Sequence, residues 1–303
     1  MMKKDVLVVG ELNVDILLNK VKGLPVIGQE ILADEMLFTL GSSSAIFAAN
    51  LASLGTSVSF CGMVGKDMFG QYVLSELANR NVETKLIIED PAYKTGITVV
   101  LNYEQDRANV THCGAMENLR FKDIPADQFS MFRHLHLSSF FLQKSLRKDI
   151  AQLFQTAREA GLTTSLDLQW DPDNKWDFPF RDCLPYVDFF MPNETEILAL
   201  TGTNQLSAAL EILEPFSNTI VVKRGINGAL AFNKGDYNEA APYLHSQFAD
   251  AIGAGDSFNA GFISSFLQGK SLQENLRFGN LTGAINTTAS GGTGAFSDLD
   301  SFI

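Results

Sequence analysis

The segment D-A-I-G-A-G-D-S-F-N-A-G-F, Asp250 to Phe262, is the most informative stretch of this chain, because its small residues run directly into a predicted helix. Gly253, Ala254 and Gly255 would leave backbone N–H groups without intrahelical partners at the positive end of that helix. Such a helix start binds anions. Asp256, in the same turn, can then accept the proton of a hydroxyl that attacks a bound phosphoryl group. By itself the pattern also fits a glycine-rich helix start that Asp256 merely caps.

Outside this segment, short apolar runs bounded by Gly, Asp or Asn predict the buried strands of a parallel sheet. These runs are 6–10, 58–62, 135–139, 164–168, 188–191, 219–223 and 229–232. Segments with helical spacing lie between several of them, such as 68–80 and 146–161, and two consecutive helical segments follow at 255–268 and 271–289. The alternation predicts an α/β fold with helices on both faces of the sheet.

Two regions, at about 15–39 and 95–112, break this alternation with apolar runs that no helix follows. We interpret them as extra strands that form a lid over a site. An edge hairpin without function is an equal alternative. Because no repeat, linker or low-complexity stretch divides the chain, we expect one domain, 1–303, with a discontinuous β lid.

Composition excludes several classes of protein. The 303 residues are 46% apolar, with 23 Lys and Arg against 35 Asp and Glu and a net charge of −12, so a nucleic-acid or anionic-membrane binder is disfavoured. The three cysteines, Cys61, Cys113 and Cys183, are widely separated, which fits a reducing compartment. No signal-peptide pattern and no long apolar stretch is present, so we expect a cytoplasmic protein.

Sequence motifs for other kinds of site are absent or incomplete. No zinc motif is present, and we expect His134 and His136 to be structural residues on opposite faces of a strand. A Walker A loop ending at Gly269-Lys270-Ser271 would need a glycine where Ser264 stands. A dinucleotide fingerprint would need one at Phe258.

Seven motifs in chain order resemble the signatures of the PfkB, or ribokinase-like, carbohydrate kinase family. Asp250 to Asp256 is similar to the family's D-T-x-G-A-G-D, with Ala251 where Thr is common. The other six are G-E-L-N-V-D (10–15), the stretch 41–55, G-M-V-G-K-D (62–67) with Gly70, Asp167 with Asp171-Pro172 and Trp176, N-E-T-E (193–196), and K-R-G (223–225) with Gly228. The resemblance implies a ribokinase-like three-layer α/β/α fold, with a central, mostly parallel sheet and a small β lid. It also implies ATP-dependent phosphorylation of a sugar hydroxyl.

The resemblance assigns roles on the phosphate side. Asp256 would be the catalytic base, and Gly253, Ala254 and Gly255 the anion hole. Asn193 and Glu196 would hold Mg²⁺ through water, although the pair also fits an ordinary helix cap. The nucleotide side would comprise Asn193, Lys223, Gly225, Gly228 and Asn280, and a monovalent cation such as K⁺ would bind at Asp250 and Ile252.

On the sugar side the resemblance implies contacts from Asn13, Asp15, Gly41 and Ser42. Ser42 stands in place of the family's second glycine and Ile46 in place of a polar Asn; Asn50, one turn later, does not substitute for it. We therefore expect a sugar specificity other than that of a ribose-type pocket. A nucleoside kinase, a sugar-phosphate kinase and a catalytically silent sugar-binding protein are the alternatives. Homodimerisation through the lid is a further hypothesis.

Overall fold

The computed structural model describes residues 4–103 and 107–297. Its strands are β1 (Lys4–Val9), β2 (Asn13–Asn19), β3 (Glu35–Leu40), β4 (Val58–Gly65), β5 (Val82–Asp90), β6 (Gly96–Asn102), β7 (Arg107–His112), β8 (Phe132–Ser138), β9 (Thr163–Asp167), β10 (Phe189–Phe190), β11 (Thr219–Lys223), β12 (Ala229–Asn233) and β13 (Asp236–Ala240). Its α-helices are α1 (Ser43–Ser53), α2 (Met68–Asn79), α3 (Ile150–Glu159), α4 (Phe180–Cys183), α5 (Glu194–Thr201), α6 (Leu206–Leu213), α7 (Ala254–Leu267) and α8 (Leu272–Asn286).

Within the described residues, nine strands form one large sheet in the order β13-β12-β11-β10-β9-β8-β1-β4-β5. The strands from β11 to β5 are parallel. β12 and β13 add an antiparallel edge. β4 and β5 lie on one side of β1, whereas β8 and the later strands lie on its other side. The order therefore reverses at the boundary between β1 and β8.

Two apolar clusters lie on opposite faces of this sheet, as the alternation of side chains along β1 shows. Leu7 and Val9 belong to the cluster beneath α3, α5 and α6. Val6 and Val8 belong to the cluster beneath α1, α2 and α7. Burial on both faces explains why the strand sequences are nearly continuous apolar runs. The expected three-layer α/β/α fold is confirmed.

A second sheet has four described strands in the order β3-β2-β6-β7. β2 pairs antiparallel with β3 and parallel with β6, and β6 pairs antiparallel with β7. This is the expected small sheet, and its strands lie in or beside the two regions, 15–39 and 95–112, that break the alternation of strands and helices. Residues 104–106 of the expected lid range lie outside the described residues.

The structure differs from the sequence prediction in particular elements. β5 was not predicted, because V-E-T-K-L-I-I-E-D mixes charged residues into an edge strand that is only partly buried. Helix α3 begins at Ile150, after a single tight turn at Arg147–Asp149. In the part of the chain that the structure covers, no helix is long and apolar enough to cross a membrane.

His134 and His136 lie on the same face of β8, so the expectation of opposite faces is wrong. His134 Nε2 and His136 Nδ1 both bond Ser165 Oγ, at 2.8 and 2.7 Å. The reason is that side chains two residues apart on a strand share a face. Burial lowers the pKa of His134 to about 3 and that of His136 well below its ordinary value, which keeps both rings neutral.

Candidate functional site

A cleft of about 810 Å³ lies at the carboxyl ends of the parallel strands. Residues at or just after the carboxyl ends of five of these strands line it: Glu11 after β1, Ser139 after β8, Gln169 after β9, Asn193 after β10, and Lys223 at the end of β11. The cleft spans the point where the strand order reverses. Ligands bind at this place in open parallel sheets, because loops diverge there and leave a crevice.

Asp256 lies in the first turn of α7 and lines this cleft, although only 6% of the residue is exposed. Burial raises the pKa of Asp256 well above its ordinary value, and the charge of Asp167 raises it further. The Lys223 ammonium and a hydrogen bond from the Ser43 side chain act in the opposite direction. A carboxylate in such surroundings gains stability by accepting a proton, as a general base must.

The backbone before Asp256 forms the start of α7. Gly253 caps the helix with φ 75°, and a Cβ there would lie 2.6 Å from Gly292 Cα. Both the backbone conformation and the lack of space therefore require glycine. Gly253 and Gly255 line the cleft, whereas Ala254 does not, and its N–H donates to Ala251 O at 3.3 Å. A Cβ at Gly255 would lie 3.5 Å from Lys223 Nζ, which places an ammonium beside this helix start. The helix dipole and the ammonium together make the position favourable for an anion.

Lys223 joins the carboxylates around this helix start. Its ammonium pairs with Asp167 Oδ2, which also accepts from Asn259 Nδ2 at 2.6 Å. Burial alone would lower the pKa of Lys223, but Asp167 and Glu196 raise it overall, so the group stays charged. Asp167 is itself fully buried. The charged cluster is thus held rigidly at the ends of β9 and β11.

Asn193 and Glu196 form a capping box at the start of α5. Asn193 Oδ1 accepts from Glu196 N, and Glu196 Oε2 accepts from Asn193 N, each at 2.9 Å. Burial raises the pKa of Glu196 to about 7, and Asp167 adds to the rise. Both side chains line the cleft. The Glu196 carboxylate has hard oxygen atoms, and a nearby cation would stabilise its ionised form. The pair therefore fits Mg²⁺ held through water.

Asn13 and Asp15 lie at the opposite end of the cleft, on β2. Asn13 Nδ2 donates to Thr98 Oγ1 at 2.7 Å and to Asp15 Oδ1 at 3.2 Å. Burial raises the pKa of Asp15 to about 7, and Glu11 adds to the rise, while Asn13 and Arg107 oppose it. A Cβ at Gly41 would lie 2.1 Å from Asp15 Oδ1, so only glycine leaves space for this carboxylate. Gly41 therefore shapes the pocket without lining it.

The two departures from the family pattern on the sugar side, Ser42 and Ile46, have different structural consequences. Ser42 keeps a left-handed backbone, with φ 70°, and its hydroxyl donates to Glu11 O at 2.6 Å and caps α1. Ile46 lines the cleft, and its side chain packs against Gly253 and Gly292. An apolar group thus occupies this part of the wall. Asn50 does not line the cleft; its amide donates to Ser257 Oγ and Gly292 O.

Glu11 is a buried acid that the sequence reasoning did not single out. It is 1% exposed and lines the cleft, and its carboxylate accepts hydrogen bonds from Ser44. Burial raises the pKa of Glu11 above its ordinary value. Its charge in turn raises the pKa of both Asp15 and Asp256. Glu11 therefore couples the two ends of the cleft electrostatically.

One face of the second sheet covers the cleft. Thr98 and Val100 on β6 and Asn109 and Thr111 on β7 alternate along their strands and line it together.

Three cationic side chains, Arg107, Lys144 and Arg147, line the cleft as well. Two aromatic side chains, Phe141 and the half-exposed Trp170, also contribute to its wall. This arrangement suits an acceptor with apolar ring faces and an anionic group.

Several of the expected site residues lie elsewhere. Asn280 does not line the cleft, and its amide donates to the carbonyl groups of Ala240 and Ala241. Gly228 has φ 79°, and a Cβ there would lie 2.1 Å from Ala240 O, so packing already demands glycine. The nucleotide contacts of these two residues stay predictions, whereas Gly225 does line the cleft.

Asp250 and Ile252 lie in the turn before α7. Asp250 Oδ1 accepts from Ile252 N at 2.9 Å and Oδ2 from Gly291 N at 3.0 Å. Ile252 lines the cleft and Asp250 does not. The hydrogen bonds fix the turn, and a cation role for the pair stays a prediction.

Sequence reasoning missed Gln169, Glu11 and Ser43 because each gains its role only from a distant segment. The signal available for each was its place inside a stretch noted for its resemblance: Glu11 in 10–15, Ser43 in 41–55, and Gln169 between Asp167 and Asp171.

Comparison with known proteins agrees with this geometry. A family model described as pfkB family carbohydrate kinase matches residues 3–298. A 2-dehydro-3-deoxygalactonokinase of Haloferax volcanii is 29% identical over 84% of this chain and 83% of that protein. A ribokinase of Lactococcus lactis is 25% identical over 96% of this chain and 93% of its own. The structure of Arabidopsis thaliana ribokinase complexed with ribose and ATP superposes with a TM-score of 0.84 and 24% identity, covering 97% of this chain and 96% of that one.

Proposed function

We propose a reaction for this chain, which belongs to the pfkB family of carbohydrate kinases, phosphotransferases with an alcohol acceptor. The chain transfers the γ-phosphoryl group of ATP to a hydroxyl of a monosaccharide or sugar acid, with Asp256 as the general base. The observation that carries the proposal is the buried carboxylate of Asp256 at the start of α7, open to the cleft and beside Gly255 and Lys223.

In the proposed reaction the acceptor is held by Asn13, Asp15 and Ser42, which line the cleft, while Gly41 leaves space for the Asp15 carboxylate. As its hydroxyl oxygen attacks the γ-phosphorus, the hydroxyl proton passes to Asp256. A new O–P bond forms, the bond from the γ-phosphorus to the bridging oxygen breaks, and ADP leaves with that electron pair. The N–H groups at the start of α7 and the Lys223 ammonium stabilise the charge on the transferred group.

Mg²⁺ would be held through water by Asn193 and Glu196, and when bound it would offset the charge of the nucleotide phosphates. The relative solved with ribose and ATP supports ATP as the donor. A K⁺ site at Asp250 and Ile252 is a further part of the proposal. Its support is the buried Asp250 carboxylate in the turn that leads to α7.

For the acceptor we favour a sugar acid. Arg107, Lys144 and Arg147 line the cleft together with Asp15, and their positive charge favours an acceptor carboxylate, although Lys144 also pairs with Glu117 and Arg147 donates to Phe141 O. Ile46 places an apolar surface where a polar Asn would bind a hydroxyl, which suits a deoxygenated carbon. The relative named 2-dehydro-3-deoxygalactonokinase acts, by its name, on an acceptor with both features.

A substrate panel tests this function. Purified protein with Mg²⁺ and ATP is offered 2-keto-3-deoxygluconate, 2-keto-3-deoxygalactonate, fructose, ribose, fructose phosphates and adenosine, and ADP formation is followed. We expect the largest kcat/KM with a 3-deoxy sugar acid. Turnover of adenosine or a sugar phosphate alone would replace the proposed acceptor class. Saturable sugar binding without ADP formation from any acceptor would identify a silent binding protein.

The same assay tests the base. We expect Asp256→Asn to lower kcat by about 10²–10⁴-fold, because the hydroxyl loses its proton acceptor. ATP affinity, measured by calorimetry, should change little. The exposed Asp127→Asn is the control and should retain wild-type kcat. An Asp256→Asn variant with near-normal turnover would remove Asp256 as the base.

A further inference from the structure

Gln169 connects two buried carboxylates through one amide group. Its Nε2 donates to Asp256 Oδ1 at 3.0 Å and to Asp167 Oδ2 at 3.1 Å. Both hydrogens of the amide nitrogen are thereby directed at carboxylate oxygens from different elements, the end of β9 and the start of α7. Among the hydrogen bonds between described residues, this contact joins Asp256 directly to the charged cluster around Lys223.

The backbone at Gln169 is arranged to make this contact. Gln169 has φ 59°, a left-handed conformation that non-glycine residues rarely adopt, and its N–H donates to Asp167 Oδ1 at 3.4 Å. Such a strained conformation persists where the surroundings impose it. The conformation turns the side chain from the end of β9 toward α7, and Asp167, fixed by Lys223 and Asn259, anchors the amide.

The contact bears on the chemistry of the base. A hydrogen bond to one oxygen of Asp256 restricts rotation of the carboxylate and leaves its remaining lone pairs for the acceptor hydroxyl. It also favours the ionised form, which alone can accept a proton. That form is opposed by burial and by the charges of Asp167 on β9 and Glu11 after β1, and supported by Lys223 on β11 and Ser43 on α1.

We propose that Gln169 is a positioning residue for the general base: its amide, anchored on Asp167, orients the Asp256 carboxylate toward the acceptor hydroxyl and keeps it ionised. This inference rests on the proposed kinase function and extends it to a residue that does not itself take part in the transfer.

The test is Gln169→Met, which retains the length of the side chain and removes the donor. We expect kcat to fall by about 10²-fold, as for a misplaced reacting group, with KM for ATP within about twofold of wild type. We also expect the acidic limb of the kcat profile to move to higher pH, because a carboxylate without this donor holds its proton more tightly. A purely structural role would not move the pH profile.

Gln143→Met is the matched control. Gln143 is a buried glutamine, whereas Gln169 is half-buried; the Nε2 of Gln143 donates to Ser138 O at 2.7 Å, and Gln143 does not line the cleft. This variant should lose stability without a shift in the pH profile. Gln169→Asn is a second variant, because Asn tolerates the left-handed backbone and its shorter amide cannot span the two carboxylates. We expect it to lose kcat as Gln169→Met does.

The outcomes separate the two claims. Folded Gln169 variants with wild-type kcat and an unchanged pH profile would overturn the role of Gln169 and leave the kinase function standing. A wild-type protein without turnover on any acceptor would overturn the proposed function and this inference with it.

Discussion

At the scale of single residues, the cleft is unusual for its buried acids. Glu11, Asp15, Glu196 and Asp256 all line it, and burial raises the pKa of each above its ordinary value. Buried charge destabilises a fold unless it is compensated, so such clusters are retained where they serve a site. In a kinase cleft the compensation would come from substrate hydroxyls and from cations that accompany the nucleotide.

Asp15→Asn tests this cost. The folded pKa of Asp15 is about 7 and the ordinary value is 3.8, so folding favours the protonated form. Above pH 7 the buried carboxylate is ionised, and it lowers the free energy of unfolding by its full amount. This destabilisation disappears as the pH falls toward 3.8. We expect the variant to raise the free energy of unfolding at pH 8 by roughly 1–4 kcal/mol and by less at pH 5. Denaturant titrations at the two pH values measure the difference, and an equal effect at both would contradict the assignment.

At the scale of elements, a chain of buried polar groups holds the turn before α7. Asn50 on α1 donates to Ser257 Oγ, which donates to Asn286 Oδ1 on α8, and Asn286 Nδ2 donates to Ile252 O. Asn50, Ser257 and Asn286 are fully buried. The buried Asn50 Oδ1 has no partner among the described residues, but the three hydrogen bonds tie α1, α7 and α8 to the backbone that leads to Gly253.

Asn50→Ala should loosen that turn. We expect a loss of about 1–3 kcal/mol of stability, because Ser257 and Gly292 O lose a buried donor, and a fall in kcat of about tenfold. The control is Asn275→Ala, which breaks the buried bond from Ser265 Oγ, a 2.7 Å contact between α7 and α8 that lies outside this network. It should cost similar stability and leave kcat unchanged. A fall in kcat that is the same in both variants would show that the network only stabilises the fold.

At the scale of the whole molecule, the second sheet has two faces of different character. The face toward the cleft carries Asp15, Thr98 and Thr111. On the other face Ile16, Val99 and Val110 are paired across three strands, with Val110 66% exposed. Because exposed apolar surface marks interaction sites, the exposed Val110 beside the half-buried Ile16 and Val99 supports the hypothesis that two copies associate through the lid.

Light scattering tests the association. We expect a particle of twice the mass of one chain, and we expect Val110→Lys to shift it toward the monomer, because a charge would be buried at the contact. Ile212→Lys, on α6 and outside the second sheet, is the control and should remain dimeric. A wild-type protein with the mass of a single chain would refute the dimer.

The sequence predicted the fold and the start of α7 well because both depend on local patterns. Continuous apolar runs identified β1, β8, β9 and β11, and the glycines before Asp256 identified the start of α7. The edge strand β5 was not predicted, because its burial depends on the neighbour against which it packs rather than on its own composition.

By itself, then, the amino-acid sequence determined the α/β architecture and the small-residue turn before Asp256, since periodicity and backbone freedom belong to a segment wherever it lies. Only the tertiary structure decided which side chains meet. Gln169 reaches Asp256 across 87 positions of sequence, and Asn50 reaches Ser257 across 207. The physical reason is that hydrogen bonds and charge act over a few ångströms of space, and the distance between two residues along the chain does not fix their distance in the fold.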